Sequence, residues 1–205
     1  MPDLPSSARG RILDAAFNAF MRSGYEGAST AEIARLARVS KRDLYANFPN
    51  KQAMLAACVA DRAEAMRRPL NLPVPDSREA LHEALIAYGT AVVLEITRPA
   101  VLATYRLAVL NAETAPDVAR TLDESGRRDT TNALITLLGQ VQQQRGWLPG
   151  ADAEEMAEVF LGILLNGGLL IRALMRLSVP PTPAEARQRA ELAASSLRGL
   201  YGGAE

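Results

Sequence analysis

Cysteine and histidine are scarce in this chain of 205 residues, each occurring once, as Cys58 and His82. A single cysteine excludes an internal disulfide and a Cys-x-x-Cys metal site. The histidine has no second histidine or cysteine near it, and neither a glycine-rich phosphate loop nor a nucleophile and base at recognisable spacing is present. The sequence therefore argues against an enzyme, and we expect neither a metal nor a cofactor.

The sequence also has no long apolar run and no recognisable export signal. The densest apolar run, residues 159–171, is too short to span a bilayer, and it contains Asn166 and is followed by Arg172. The first residues lack the basic and apolar regions of a signal peptide. We therefore expect a cytoplasmic protein without a membrane partner.

An excess of one charge is absent from the whole chain but not from its parts. Lys and Arg number 23, as do Asp and Glu, so the formal net charge is zero. The first 68 residues, however, contain 11 basic against 7 acidic residues, and the remainder contains 12 against 16. A basic head on an acidic body is typical of a protein that touches an anionic polymer at one end.

Patterns typical of strands are almost missing. Apolar residues recur at helical spacing and the breaks fall at Pro or Gly, which predicts an all-α fold of about nine helices. Three prolines within residues 69–76 predict a boundary between domains at 8–68 and 77–203. We expect a long seventh helix from Pro116 to about residue 145 and an eighth from Asp152 to about residue 177.

Capping signals mark two short helices between residues 29 and 48. Ser29 precedes Glu32 by three residues, and Ser40 precedes Asp43 by three, so each pair predicts a capping box. Two short helices joined by a turn of about three residues form the helix-turn-helix layout, here at about residues 30–49.

The second of these helices has one apolar side. Leu44 and Phe48 are four residues apart and form a stripe for a core, so Lys41, Arg42 and Tyr45 point away from it. In isolation, a charged helix face is more often a solvated surface than a reader of DNA. The order of motifs across the first third of the chain reverses this balance.

That order resembles the N-terminal DNA-binding domain of TetR-family transcriptional regulators. The matching positions are Arg11 to Ala16, Phe20, Gly24-Tyr25, Ile33-Ala34, Val39-Ser40-Lys41, Leu44-Tyr45, Phe48 and Lys51. The C-terminal part also resembles AefR-like regulatory domains, on the residues Arg98 to Val101, Tyr105-Arg106, Phe160 to Gly162 and Pro180-Pro181.

The resemblance implies roles at DNA for individual side chains. Thr30, Tyr45, Asn47 and Lys51 correspond to phosphate contacts. Lys41 and Arg42 correspond to base-reading positions, where Arg42 is our candidate for a bidentate guanine contact, and Tyr45 is a candidate for a thymine methyl. With Arg38 and Ser40, which flank the turn, the DNA-binding candidates are Thr30, Arg38, Ser40, Lys41, Arg42, Tyr45, Asn47 and Lys51.

Two residues depart from the family pattern. Arg38 stands where the family usually has glycine, so a residue with a side chain serves the turn or the turn differs, and an extra phosphate contact is the potential gain. Asp43 stands where threonine is common. We predict that its carboxylate caps the helix with Ser40, and the alternative is an acceptor for cytosine N4.

The last two predicted helices suggest a dimer. Apolar residues occupy nearly all sides of the eighth helix, so it must be covered on both sides, and small residues in the ninth permit close approach. We infer an isologous four-helix bundle of two subunits, which the TetR resemblance implies independently. The interface candidates are Val159, Ile163, Gly167, Leu170, Leu174, Ala186, Ala190, Ala193 and Leu197.

The resemblance also implies a small-molecule effector that enters among the fifth to eighth helices. Polar residues in apolar stretches are the ligand-binding candidates, namely Tyr88, Tyr105, Arg106 and Asn166. Tyr88 has an equally weighted alternative as a core residue, and Asn166 one as a contact across the dimer. The shortage of charge in helices five and eight predicts a largely apolar effector.

These observations lead us to expect a homodimeric transcriptional regulator. We predict a repressor that a ligand releases from a pseudo-palindromic operator on double-stranded DNA. The competing hypotheses are an enzyme, which the missing chemistry disfavours, and a helical interaction module. A pure interaction module has no use for the exposed Lys41, Arg42 and Tyr45.

Overall fold

A computed structural model describes residues 7–71, 73–110, 112–113 and 116–202, and these residues contain no strand. The predicted all-α fold is thus confirmed. The helices are α1 (Ala8–Gly27), α2 (Thr30–Ala37), α3 (Lys41–Asn47), α4 (Lys51–Arg67), α5 (Arg78–Ile96), α6 (Pro99–Leu110), α7 (Pro116–Leu122), α8 (Asp129–Arg145), α9 (Ala153–Leu164), α10 (Leu169–Leu174) and α11 (Pro183–Tyr201), with a 3₁₀ turn at Arg68–Leu70.

Of the two long helices that the sequence predicts, the seventh is helical throughout and the eighth is divided. A π-helical turn at Asp123–Arg128 joins α7 to α8 without a break in the helical backbone. The predicted eighth helix ends at Leu164 and resumes at Leu169 as α10, because Gly167 and Gly168 take left-handed backbone conformations with φ of 73° and 67°. Glycine has no Cβ to oppose this conformation, so the pair turns the chain without steric cost.

The contacts group the chain into two compact units. The first comprises the residues up to Arg62 together with Ala103–Gly126, and the second comprises Ala63–Leu102 together with the residues from Arg127 onward. Residues 103–126 therefore group with the amino-terminal unit, although they lie beyond the prolines at which the sequence predicts a domain boundary.

The first unit packs its helices around one apolar cluster. Ile12, Ala16 and Phe20 of α1 meet Ile33 of α2 and Leu44 of α3, each at most 3% exposed. Burial of one Ile or Leu side chain contributes roughly 1.5–3 kcal/mol to the free energy of unfolding, so these contacts fix how α3 packs against α1 and α2. The cluster also includes Phe48, Met54, Leu55, Cys58, Ala108 and Leu122, which places the single cysteine in the core.

The second unit is built around α5, which packs against α11 and α9, while α8 packs against α9. The rings of Tyr88 and Phe160 lie 6.1 Å apart in its centre. Gly89 permits the close approach of α5 and α11, because a Cβ at this position would lie 2.9 Å from the Cβ of Ala190.

None of the described helices alone has both the length and the apolarity to cross a bilayer. The bent pair of α5 and α6 meets these two criteria only when its members are taken together.

Candidate nucleic-acid interface

The turn between α2 and α3 rests on Arg38. Its backbone is left-handed, with φ 54° and ψ 48°, and its N–H donates to the carbonyls of Ala34 and Arg35 at the end of α2. The next residue, Val39, also donates to the carbonyl of Ala34 at 3.0 Å. The turn thus has the geometry that glycine adopts most easily, and an arginine has adopted it here.

The capping box that the sequence predicts at Ser40 and Asp43 is confirmed. Asp43 N–H donates to Ser40 Oγ at 3.0 Å, and Asp43 Oδ2 accepts from Ser40 Oγ at 2.7 Å and from Ser40 N–H at 3.3 Å. The hydrogen bond from the Ser40 hydroxyl, and to a smaller extent the one from the Ser40 N–H, hold the pKa of the Asp43 carboxyl below its ordinary value. The carboxylate is thereby tied to its own helix.

Ser40 fits the cap better than it fits DNA. A serine hydroxyl has one donor, and that donor is used on Asp43. Phosphate oxygens only accept hydrogen bonds, and the Ser40 N–H also points to Asp43. In this arrangement, Ser40 offers a phosphate no free donor.

The predicted second capping box, at Ser29 and Glu32, is wrong. Ser29 precedes α2 but its side chain makes no capping hydrogen bond. Glu32 Oε1 instead accepts from Arg22 Nη2 at 2.9 Å. The carboxylate thus joins α2 to α1, a contact that local sequence spacing does not reveal.

The orientation predicted for α3 is confirmed. Leu44 is fully buried and Phe48 is 3% exposed, whereas Lys41, Arg42 and Asn47 are exposed and Tyr45 is 47% exposed. Among the described residues, neither Lys41 nor Arg42 forms an ion pair with a carboxylate. The outer face of α3 therefore presents two available cations and an aromatic ring.

Two of the phosphate-contact candidates meet each other. The hydroxyls of Thr30, at the start of α2, and Tyr45, on α3, lie 3.2 Å apart. Asn47 donates its amide N–H to the carbonyl of Asp43 at 2.8 Å, which fixes the side chain against its own helix. The start of α2 and the outer face of α3 thus form one continuous polar surface.

Lys51 is held by a part of the chain that sequence reasoning overlooked. Its Nζ donates to the carbonyl of Glu26 at 3.2 Å and lies 4.6 Å from the centre of the Tyr25 ring. Gly24, with φ 72°, turns the end of α1, and the Tyr25 ring lies tilted beside that of Phe20, with the ring centres 5.8 Å apart. An ammonium group has three donors, so two remain for a phosphate.

The four ligand-binding candidates are divided between the two units, two in each. Tyr88 is fully buried in the core of the second unit, where its hydroxyl donates to the carbonyl of Thr130 at 3.2 Å. Burial also raises the pKa of this hydroxyl. Asn166 is exposed and its Oδ1 accepts from Gly167 N–H, while Tyr105 and Arg106 belong to the first unit.

The predicted dimer residues fall into two groups. Val159, Ile163, Leu170 and Leu174 are half-buried and Gly167 is exposed. The four candidates on α11 have no exposed surface, because they pack in the core of their own chain: Ala186, Ala190, Ala193 and Leu197. Their assignment to the interface is corrected here, since the small residues serve the close approach of α11 to α5 within one subunit.

The other side of α11 remains open. A groove of about 880 Å³ runs between it and the α9–α10 segment, lined by Ile163, Leu169 and Leu192 among others. Leu192 and Leu200 on α11 are 62% and 63% exposed, and Ile171 on α10 is 60% exposed. The apolar surface available to a partner thus lies on these helices, turned away from the alanines.

Comparison with known proteins identifies this arrangement. Residues 12–58 match the family described as bacterial regulatory proteins, tetR family, and residues 83–203 match the AefR-like transcriptional repressor C-terminal domain. The second match covers more than half of the chain. The chain belongs to the TetR family. It is a DNA-binding transcriptional regulator and not an enzyme.

Individual TetR-family proteins resemble the chain to different extents. An uncharacterized HTH-type transcriptional regulator, YvkB of Bacillus subtilis, is 33% identical over 42% of this chain and 43% of its own length. The chain thus spans less than half the length of this relative. The solved structure of the Flavonoid-responsive Regulator FrrA is 27% identical, with a TM-score of 0.71 over 97% of this chain and 98% of that one. A TetR regulator from Agrobacterium tumefaciens is 26% identical, with a TM-score of 0.74 over 96% and 95%.

Proposed function

We propose that this TetR-family regulator is a ligand-released repressor that binds a pseudo-palindromic operator as a homodimer. The observation that supports the DNA contact is the outer face of α3, where Lys41, Arg42 and Tyr45 are exposed while Leu44 and Phe48 fix the helix to the head. The positive side chains attract the phosphate backbone and the planar guanidinium of Arg42 suits a guanine edge.

The size of α3 supports a dimer. A helix of seven residues is about 10 Å long, so one copy reads only a few base pairs. Two copies related by a two-fold axis read two half-sites about 34–36 Å apart or at a multiple of this spacing. We assign the dimer contact to half-buried apolar residues of α9 and exposed ones of α10 and α11, with Ile171, Leu192 and Leu200 in place of the alanines of α11.

The effector of this regulator is, in our proposal, largely apolar and aromatic. The core of the second unit consists of aliphatic side chains packed around the rings of Tyr88 and Phe160, and FrrA, which is 27% identical, is described as flavonoid-responsive. An effector acts only if it binds the released state more tightly than the DNA-bound state. A thermal-shift screen should therefore favour planar apolar ligands, and stabilisation by highly charged metabolites alone would contradict the proposal.

The DNA-binding role is tested with duplexes selected from a random pool. We expect wild-type binding to weaken steeply with salt, because phosphate contacts release counterions. The double variant Arg42→Ala/Tyr45→Ala should lose binding while its helical circular dichroism is retained. Arg22→Ala removes an exposed cation from α1, one that is paired with Glu32, and is the control. Equal binding by the double variant and wild type would leave α3 without its proposed role.

A further inference from the structure

Arg9 is a second cation held against an aromatic ring in the first unit. It lies in the first turn of α1, which Ser7 caps by accepting from Gly10 N–H at 3.1 Å. Its guanidinium carbon lies 5.3 Å from the centre of the Phe48 ring. A guanidinium within about 6 Å of an aromatic centre is attracted to the electron-rich face of the ring.

The ring that holds Arg9 is fixed at the end of α3. Phe48 is the residue that follows this helix, and its N–H donates to the carbonyl of Leu44 at 2.9 Å. Its side chain is only 3% exposed, whereas Arg9 is exposed. The contact therefore places a cation from α1 beside the carboxyl end of the recognition helix, with the guanidinium open to solvent.

The charge of Arg9 is not neutralised within the described part of the chain. No carboxylate there forms an ion pair with it, and the first turn of α1 contains no acidic residue. A cation in a first turn lies at the positive end of the helix dipole, which is unfavourable for the helix itself. A stacked guanidinium keeps its full charge and its N–H donors, so the position is suited to an external anion.

We infer that Arg9 is a further DNA-contacting residue, which donates to the phosphate backbone at the edge of the groove that α3 enters. The inference rests on the proposed function. Phosphate is favoured over a base edge, because Phe48 is at the carboxyl end of α3, whereas base reading is concentrated at the amino-terminal end of a recognition helix. Arg9 also lies outside residues 12–58, so the family match assigns it no role.

The test measures how the affinity for a selected duplex depends on salt. Each phosphate contact contributes about 0.9 to the slope of log Kobs against log [salt]. Arg9→Gln should therefore reduce the slope by about 0.9 per protomer and weaken random and selected duplexes by the same factor. Arg9→Lys keeps the charge and should retain the wild-type slope.

The control is Arg22→Gln, which removes a cation from the same helix. At a rise of about 1.5 Å per residue, Arg22 lies about 20 Å from Arg9 along the helix axis. This variant should leave the slope unchanged. An unchanged slope for Arg9→Gln, or a change in base preference without a change in slope, would overturn the inference alone. Failure of the wild-type protein to bind any duplex would overturn the proposed function as well.

Discussion

Replacement of Arg38 by glycine separates the stability of the turn from its charge. Arg38 carries a side chain in a left-handed conformation, with φ 54° and ψ 48°, and its N–H donates to the carbonyls of Ala34 and Arg35. Glycine keeps this N–H and adopts the same conformation without a Cβ clash. Arg38→Gly therefore relieves strain and at the same time removes an exposed cation beside α3.

Two opposing terms set the magnitude of the stability change at Arg38. An L-residue in the left-handed helical region costs roughly 1–2 kcal/mol. Glycine also has more conformational freedom than arginine in the unfolded chain, which lowers the free energy of unfolding by roughly 0.4–1 kcal/mol. The difference is about 0–1.6 kcal/mol, and its mid-range value predicts that Arg38→Gly raises the free energy of unfolding by about 0.8 kcal/mol, or the Tm by about 2–3 °C for a chain of this size.

Arg38→Ala is the matched control, because alanine keeps the Cβ and loses the same cation. Thermal denaturation should show a higher Tm for Arg38→Gly than for Arg38→Ala, while both variants show the same shallower salt dependence of DNA binding, by about 0.9 per phosphate contact. A glycine variant no more stable than the alanine variant would refute the strain argument. An unchanged salt slope in both would remove Arg38 from the DNA-binding surface.

Three further predictions concern other parts of the chain. Gly89→Ala places a Cβ within 2.9 Å of the Ala190 Cβ and should lower the free energy of unfolding by about 1–3 kcal/mol. Gly139→Ala is the control, because its Cβ would meet only an ordinary contact at 3.8 Å and should not lower it. Equal free energies of unfolding for the two variants would argue against close packing of α5. Leu192→Glu should shift the protein to a monomer in sedimentation velocity, and an unchanged dimer would exclude this face. Because the pKa of Asp43 is lowered in the folded protein, its cap contributes its full stabilisation at pH values above the ordinary pKa of 3.8 and loses it as the pH falls through the lower folded pKa. The difference in free energy of unfolding between wild type and Asp43→Asn should therefore narrow in acid. A difference that stays constant with pH would contradict this.

Local signals in the sequence were sufficient for the centre of the candidate site. The capping box of Ser40 and Asp43 involves residues three apart, and the stripe of Leu44 and Phe48 involves residues four apart. The same spacing failed at Ser29 and Glu32, because Arg22 of α1 pairs with that glutamate, whereas no described distant residue binds Asp43. A helix of seven residues offers few alternative ways to pack such a stripe. For this reason the exposed face of α3 could be predicted residue by residue.

Features that depend on distant partners could not be predicted in the same way. The alanines of α11 suit close approach, but periodicity does not say whether the approaching helix is α5 of the same chain or a helix of a partner. Lys51 and Arg9 are held by Tyr25 and Phe48, which are distant in sequence. Gly167 was expected on a continuous eighth helix as an interface residue, although its left-handed backbone and that of Gly168 divide the helix.

The most direct test of the account compares the sequences that wild type and Arg42→Ala select from a random duplex pool. The wild-type pool should converge on two half-sites related by two-fold symmetry, each with a preferred guanine whose contact with Arg42 is worth about 1–3 kcal/mol. The variant should lose the preference at that guanine and keep the others. Identical pools, or a wild-type pool without symmetry, would contradict the assignment of α3 as the element that reads DNA.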